Sequence, residues 1–410
     1  MRPAGLLCLL GCLILSSALT LRAQSSPPPI LVDAEKVQCP TAEFTSIQPA
    51  IDAASPGQTV HVCAGTYAEQ LNITQSIILT ADSGVVLQPT AMTANATGLV
   101  ATDQIAAAIV VTNASSANIS GFIVDGSQNG IVACAPRLIG ILFQNSSGTV
   151  EYNAVRHFRL NSSLPGCQSG NAIEIETSAG GSSNVTVLEN SVDDYQKNGI
   201  TANEAGSNAT IEKNIVNGIG PTTGAAQNGI QIGYGAIGLI TNNTVLNNLW
   251  SPCVSTTQCS SNAIGILIFQ SNGVQINANS VSLNNVGIVT TGTDTHISSN
   301  NVSNSVVLDG IALVSNSNTV EKNQIAQSDQ AAVEVQGNDN DITGNTFLSA
   351  EAGILVDPGS TGVSTPGNQF FAVLNPIANA SASAAASKQK AQDLPVSSRQ
   401  TVAARVSPSR

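Results

Sequence analysis

An asparagine recurs at one position of a short repeat, and this repeat constrains the fold more than any other feature. Each copy lies three residues after one apolar residue and two before another, as in the segment from Ile211 to Val216. The copies are Asn153, Asn190, Asn214, Asn243, Asn279, Asn300, Asn323 and Asn345. The last three intervals are 21, 23 and 22 residues. A fixed period of this length is typical of a solenoid, in which each repeat forms one coil of a stack.

The repeat is too short to hold two packed helices, which require about 33 residues or more. Its apolar residues alternate instead, so that Ile230 and Ile232 point to one side of a strand and Gln231 to the other. Coils of this kind stack about 4.8 Å apart and pair each strand with its copies above and below. We expect the asparagines to occupy a corner in left-handed backbone and to hydrogen-bond along the stack.

With this turn, the chain resembles the right-handed parallel β-helix proteins of the pectin-lyase-like superfamily. The segments 44–54, 56–62 and 65–67 are similar to the family's N-terminal entry, and Phe44, Ile47, Ile51 and Ala54 share one helical face. The resemblance implies an all-β, right-handed parallel β-helix solenoid of about eleven coils with a short N-terminal capping helix. The superfamily includes lyases, hydrolases, esterases, epimerases and adhesins, so the fold alone does not identify an activity.

The chain divides into four segments. Residues 1–23 are predicted to be a signal peptide, because an apolar run from Leu6 to Leu21 follows Arg2 and is too short to span a membrane. An N-terminal extension, 24–43, precedes the predicted β-helix domain, 44–375. Residues 376–410 are rich in Ala and Ser, contain five basic residues and are predicted to be a disordered tail. We therefore expect a secreted, periplasmic or cell-surface protein.

Six cysteines remain after the signal peptide, an even number that suggests disulfides in an exported protein. Equivalent positions in adjacent coils pair Cys134 with Cys167. The other predicted pairs staple the capping helix and one long insertion, Cys39 with Cys63 and Cys253 with Cys259. No Cys or His spacing predicts a metal site.

The charge balance excludes nucleic acid as the expected partner. Residues 24–375 contain seven Lys or Arg against 25 Asp or Glu, so the solenoid is acidic and repels a phosphate backbone. We expect a monomer whose partner is a polysaccharide.

Loop lengths indicate where a site lies. From the apolar residue after the corner to the next Gly-Ile strand, the gaps are 18, 8, 14 and 21 residues up to Ile266, and 7, 9, 8 and 7 in the last four coils. Long insertions on one side of a stack commonly form the functional wall. The short gap at residues 192–200 lies between longer ones, which predicts a notch there.

Carboxylates lie beside this notch. Glu174 and Glu176 alternate with core residues and are predicted to point outward from one strand, and Asp193 and Asp194 follow Val192. Paired carboxylates of this kind can act as general acid and as base or nucleophile in glycoside cleavage. The alternative interpretation is an ordinary solvated face.

Three of the seven basic residues lie between positions 137 and 159, which would suit a sugar carboxylate or sulfate. Arg156 is predicted to stack near Asp193, although such a surface pair contributes under about 1 kcal/mol. Trp250 could stack on a sugar or anchor its loop, and Tyr195 could do either as well. The candidate binding residues are Arg137, Arg156, His157, Arg159, Tyr195, Lys197 and Trp250.

These features favour an extracellular carbohydrate-active protein that binds, and in one interpretation cleaves, an acidic polysaccharide. The motifs of polygalacturonases and of alginate-type epimerases are absent, apart from Asp193-Asp194. A lyase would need an Arg or Lys base with calcium, and otherwise we expect no cofactor. The alternative is a non-catalytic adhesion or structural solenoid. A copper-binding role is disfavoured, since the chain has two Met and three His.

Overall fold

The computed structural model describes residues 27–99, 102–178, 180–255, 259 and 261–380. The predicted signal peptide and residues 381–410 of the predicted tail lie outside this range. The described residues form one helix, α1 (Ile47–Ala53). The strands, in chain order, are β1 (Ile30–Val32), β2 (Thr59–Val62), β3 (Gly65–Tyr67), β4 (Leu71–Ile73), β5 (Ile78–Ala81), β6 (Val85–Leu87), β7 (Ala96–Thr97), β8 (Gln104–Thr112), β9 (Ala117–Ser120), β10 (Ile123–Asp125), β11 (Arg137–Gln144), β12 (Gly148–Glu151), β13 (Ala154–Arg156), β14 (Asn171–Glu176), β15 (Ser183–Leu188), β16 (Ser191–Asp193), β17 (Asn198–Asn203), β18 (Ser207–Glu212), β19 (Ile215–Thr222), β20 (Asn228–Gly233), β21 (Ile237–Thr241), β22 (Thr244–Trp250), β23 (Ile264–Phe269), β24 (Gln275–Asn277), β25 (Ser280–Asn284), β26 (Val286–Thr290), β27 (His296–Ser298), β28 (Asn301–Ser305), β29 (Ile311–Leu313), β30 (Thr319–Glu321), β31 (Gln324–Val335), β32 (Asp341–Thr343), β33 (Thr346–Val356), β34 (Gln369–Phe371) and β35 (Asn375–Asn379).

The strands form three long faces that run along the stack. Face 1 contains 12 strands, in the order β1-β2-β5-β9-β12-β15-β18-β21-β24-β27-β30-β32. Face 2 follows the asparagine corner and includes β10, β13, β16, β19 and β22, and face 3 includes β8, β11, β14, β17, β20, β23, β26 and β29. Both faces continue through β31 and β33, which bend from one to the other. Successive coils pair in parallel, which confirms the all-β, right-handed parallel β-helix.

The core is a set of apolar columns inside the three faces. Ile173, Ile200, Ile230 and Ile266 occupy one register position on four successive strands of face 3, and all are fully buried. Each strand thus stacks its inward residue on the same residue type in the next coil. The alternation seen in the sequence therefore reports the inward direction correctly.

The repeated asparagines form a continuous ladder at the corner between faces 1 and 2. Asn190 donates from its backbone N–H and from Nδ2 to Oδ1 of Asn214, at 2.9 and 3.0 Å, and Asn214 repeats this toward Asn243. The ladder extends one coil beyond the predicted set, to Asn368. The prediction that the asparagines themselves adopt left-handed backbone was wrong. The residue before each asparagine, such as Lys213 before Asn214, adopts that conformation instead. The buried amide instead satisfies the carbonyl groups around that turn.

Helix α1 covers the N-terminal end of the stack, as predicted for a capping helix. It buries Ile47 and Ile51, and the Glu69 carboxylate accepts the backbone N–H groups of Ile47 and Gln48 at 2.8 and 2.9 Å. β1, inside the expected N-terminal extension, pairs with β2 and begins face 1. No helix among the described residues is long and apolar enough to cross a membrane.

All three predicted disulfides are present: Cys39–Cys63, Cys134–Cys167 and Cys253–Cys259. Within the described part of the chain, Asp82 approaches the first of these pairs. Its two sulfurs are bonded to each other and offer no thiolate to a metal.

Candidate functional site

The long insertions lie between faces 2 and 3, where the chain leaves β13, β19 and β22, and the short connection after β16 lies among them. At the ends of these strands Asp125, Arg156 and Asp193 occupy one register position on β10, β13 and β16. The predicted stacking of Arg156 beside Asp193 is therefore correct as strand register. The Arg156 guanidinium nevertheless pairs with Asp125 in the preceding coil, with Nε 2.9 Å from Oδ2.

One residue further along, His157 bridges two carboxylates. Its Nδ1 lies 3.1 Å from Asp125 Oδ1, and its Nε2 lies 3.7 Å from Asp194 Oδ2. Arg159 holds the same aspartate, with Nε 2.8 Å from Asp194 Oδ1. The side chains of Arg156, His157 and Arg159 remain 37%, 39% and 49% exposed. The predicted basic residues thus converge, but each already contacts a carboxylate.

The two aspartates differ electrostatically. Burial opposes ionisation of Asp125, but hydrogen bonds from Ser127, His157 and Arg156 outweigh it and hold its pKa at about 2. Burial raises the pKa of Asp194, against the opposing charges of Arg159 and His157. Asp125 is therefore a fixed anion, while Asp194 is the carboxyl of this pair that takes up a proton more readily.

A cleft of about 480 Å³ opens beside these groups and reaches the segment 192–200, where the sequence predicts a notch, at Asp194. Its walls are the segments 127–132 and 157–161, and Asp194 lies at its edge. A second cleft of about 240 Å³, lined by Pro165, Gln196, Ile219 and Ala225 among others, shares Arg159, Leu160 and Asn161 with the first. The two adjoining clefts have polar and apolar lining residues and are here together called the Arg159 cleft.

The expectation that Glu174 and Glu176 form an exposed acid–base pair is wrong. Both point away from the core, but both are fully buried. Arg137 Nη1 lies 3.2 Å from Glu174 Oε2, and its Nη2 lies 3.7 Å from Glu176 Oε2. Arg137 also contacts Asp103 at 2.8 Å. Arg137 is therefore a buried partner of three carboxylates and not an exposed ligand for a sugar.

A hairpin explains part of this burial. β7 pairs antiparallel with the start of β8, and Gln144 Nε2 donates both to the Thr97 carbonyl oxygen and to Glu176 Oε1, at 2.8 and 2.7 Å. This non-repeating hairpin lies against the outer side of face 3. Alternation along β14 cannot predict such a cover.

Three further candidates are structural. Tyr195 is fully buried and donates from its hydroxyl to Asn248 Oδ1 at 2.6 Å, so it cannot stack on a sugar. Lys197 is buried and donates to the Ala226 carbonyl oxygen at 2.7 Å, and burial lowers its pKa to about 8. Trp250 donates from Nε1 to the Gly224 carbonyl oxygen and packs beside the Cys253–Cys259 disulfide, which favours the loop-anchor alternative.

Sequence reasoning missed Asp125 and Asp103. Asp125 follows Val124 as Arg156 follows Val155, but its coil has Phe122 where later coils have the asparagine, which hides the register. Asp103 belongs to the hairpin and has no counterpart in other coils. Asp125 could be found from the sequence by extending the repeat one coil toward the N-terminus.

Comparisons with known proteins agree with this architecture. The family model for a right-handed β-helix region matches residues 205–370. The Dettilon tailspike protein is 16% identical with a TM-score of 0.56, and the match covers 82% of this chain and 64% of the tailspike. Lacto-N-biosidase from Eubacterium ramulus is 13% identical with a TM-score of 0.54, covering 84% and 68%. PfbA, a surface adhesin of Streptococcus pneumoniae, is 16% identical with a TM-score of 0.52, covering 81% and 88%. No curated protein sequence matches, and at these identities the likeness concerns the fold.

Proposed function

We propose a binding function on the premise that this chain is a right-handed parallel β-helix protein: it binds an extracellular polysaccharide in the Arg159 cleft. The observation that carries the proposal is that the two neighbouring clefts share Arg159, Leu160 and Asn161 as lining residues. Two adjoining clefts offer positions for more than one sugar unit of the same polymer. The named proteins of similar fold include a tailspike, a biosidase and an adhesin, which is compatible with such a ligand.

The lining fits a saccharide with acidic groups. Gln128 and Asn161 are exposed and supply amides for sugar hydroxyls, and the exposed Val132 supplies apolar contact. Arg159 is half exposed and has donor groups besides the Nε that contacts Asp194. A sugar carboxylate or sulfate would therefore bind these other donor groups of Arg159 and replace part of its contact with Asp194. Such binding should weaken as ionic strength rises, because exposed charges are screened.

The test is equilibrium binding of the chain without its signal peptide to polygalacturonate, chondroitin sulfate and neutral dextran. We expect Arg159→Ala to weaken binding of an acidic polymer by at least about tenfold, roughly 1.4 kcal/mol. Lys213→Ala is the matched control, because Lys213 is equally exposed but pairs with Glu212 and Glu189 outside the cleft. Equal losses in both variants, or no binding to any polymer, would refute the site.

Cleavage of the bound polymer is a second candidate, favoured by the raised pKa of Asp194 beside His157. A carboxyl whose pKa is raised is better suited to protonate a leaving oxygen. Reducing ends and unsaturated products should be measured with and without calcium, because a lyase would use that ion. Turnover abolished in Asp194→Asn but retained in Asp193→Asn would support it. Binding without turnover would leave a non-catalytic, adhesin-like function.

A further inference from the structure

The two ends of the stack differ in how their core is covered. At the N-terminal end, α1 lies over the core and buries Ile47, Ala50 and Ile51 against it. At the C-terminal end, β34 and β35 form the last coil. In the part of the chain that the structure describes, no helix lies over this coil, and β35 pairs only with β33. The described residues therefore leave the C-terminal end of the stack open.

Residues of the core columns are exposed at this end. Ile354 is fully buried, but Ile377, which occupies the same register position in the last coil, is 52% exposed. Phe347 is also fully buried, whereas Phe370, with its ring centroid 5.3 Å away, is only partly buried. Leu374 in the same coil is 79% exposed. Open strand edges beside exposed apolar side chains form a surface that binds another segment or another molecule.

The C-terminal end is also acidic. Its last coils, residues 339–380, contain Asp339, Asp341, Glu351 and Asp357 and no Lys or Arg. The side chains of Asp339 and Glu351 are exposed. A segment that covers this end must therefore combine apolar contact with positive charge.

We propose that residues 381–394 of this same chain form a helix that lies across the open end and covers it, in place of the disorder expected from their composition. The segment starts at the right place, because Ala380 donates its N–H to the Val356 carbonyl oxygen at 2.9 Å and so holds the chain at this end. It contains five alanines and two lysines, which favour a helix, and Pro395 follows it directly.

The length and pattern of this helix fit the end. A helix over 381–394 is about 21 Å long at about 1.5 Å per residue, and β35, with five residues, is about 17 Å long. One side of the helix consists of Ala384, Ser387, Ala391 and Leu394. Lys388 and Lys390 lie on either side of that stripe. Small side chains allow the helix to pack closely on Ile377 and Phe370, while the lysines face the acidic rim.

Charge favours the chain's own segment over a second copy of the same end. Two C-terminal ends in contact would place the acidic residues of one copy opposite the same residues of the other, which is unfavourable. Residues 381–410 instead contain five Lys or Arg and a single acid, Asp393. The segment is also joined to the end that it covers, so its effective concentration there is high.

The test is hydrogen exchange of the full chain without its signal peptide, measured by mass spectrometry. The amides of residues 385–394 should exchange at least about tenfold more slowly than in a synthetic peptide of residues 381–410, because the docked helix protects them. Leu394→Asp places a charge on the docked side and should remove this protection. Gln389→Asp places the same charge on the opposite side and is the matched control that should retain it. Equal exchange in chain and peptide, or equal protection in the two variants, would overturn the proposal.

Zero-length carbodiimide coupling provides an independent measurement. Lys388 or Lys390 should become linked to Asp339 or Glu351 within one molecule, as read by mass spectrometry of the digested product. Links made mainly to exposed acids far from this end, such as Glu189, would contradict the proposal. Links between isotopically light and heavy copies in a mixture would show that a second copy covers the end instead. Neither measurement depends on saccharide binding in the Arg159 cleft.

Discussion

Two charged clusters lie on neighbouring coils of this molecule and behave differently. In the Arg159 cleft, Arg156 and Arg159 each contact one carboxylate and remain well exposed. On the outer side of face 3, Arg137 is 9% exposed and contacts three carboxylates. The residue types are the same, and the difference is whether another part of the chain covers them. An exposed pair is available to a ligand and contributes little to stability, whereas a buried one is costly to disrupt.

Arg137→Met should give the largest effect. It leaves Asp103, Glu174 and Glu176 without their shared guanidinium, and loss of one partner of a buried ion pair costs about 3–5 kcal/mol. The free energy of unfolding should be measured by urea denaturation. Arg159→Met is the matched control in the cleft. Equal losses in the two variants would show that the clusters do not differ as described.

Asp125 should make stability depend on acid pH. Its folded pKa of about 2 lies below the ordinary 3.8, so the ionised carboxylate stabilises the folded state. This contribution, about 2 kcal/mol, is complete above pH 3.8 and is lost as the pH falls toward 2. The difference in unfolding free energy between wild type and Asp125→Asn should therefore shrink over that interval. A constant difference from pH 2 to 7 would rule out this role.

Tyr195→Phe tests the corrected placement of one sequence candidate. Loss of the hydroxyl leaves Asn248 Oδ1 without its donor and should destabilise the fold by about 1–2 kcal/mol. Saccharide affinity should not change, since the ring is buried. Thermal unfolding and equilibrium binding measure the two effects separately. A selective loss of affinity would restore Tyr195 to the binding site.

Arg159→Ala should have the smallest effect on stability. An exposed ion pair with Asp194 contributes under about 1 kcal/mol, although the same substitution should weaken saccharide binding. Urea denaturation measures the free energy of unfolding on the same sample that is used for saccharide binding. A destabilisation near that of Arg137→Met would remove the distinction between the clusters.

The fold could be predicted from sequence because its determinants repeat. The period of the asparagines predicts the stack, alternation around residues such as Ile230 predicts the core, and coil phase predicts the Cys134–Cys167 disulfide. Each of these patterns occurs in several coils, so the fold can be predicted even where a single coil departs from the pattern.

The site could be predicted only in part, because its features do not repeat. Coil phase brings Arg156 next to Asp193, and chain proximity brings His157 and Arg159 to the same loop. Alternation distinguishes inward from outward, but it cannot tell an outward residue in solvent from one beneath a cover. Glu174 and Glu176 were misjudged for that reason. The choice between sugar binding and a structural role for Tyr195 could not be made, because a residue in an irregular connection has no repeat phase that indicates its direction.

The asparagine ladder makes the length of this molecule adjustable. Each asparagine bonds only its immediate neighbours, as Asn279 does with Asn300, so duplicating one coil disturbs no contact beyond the junction. Every coil added between two surface sites would separate them by about 4.8 Å. The distance between two surface sites is therefore set by the number of coils between them. Duplication of a coil would change that distance without changing either site.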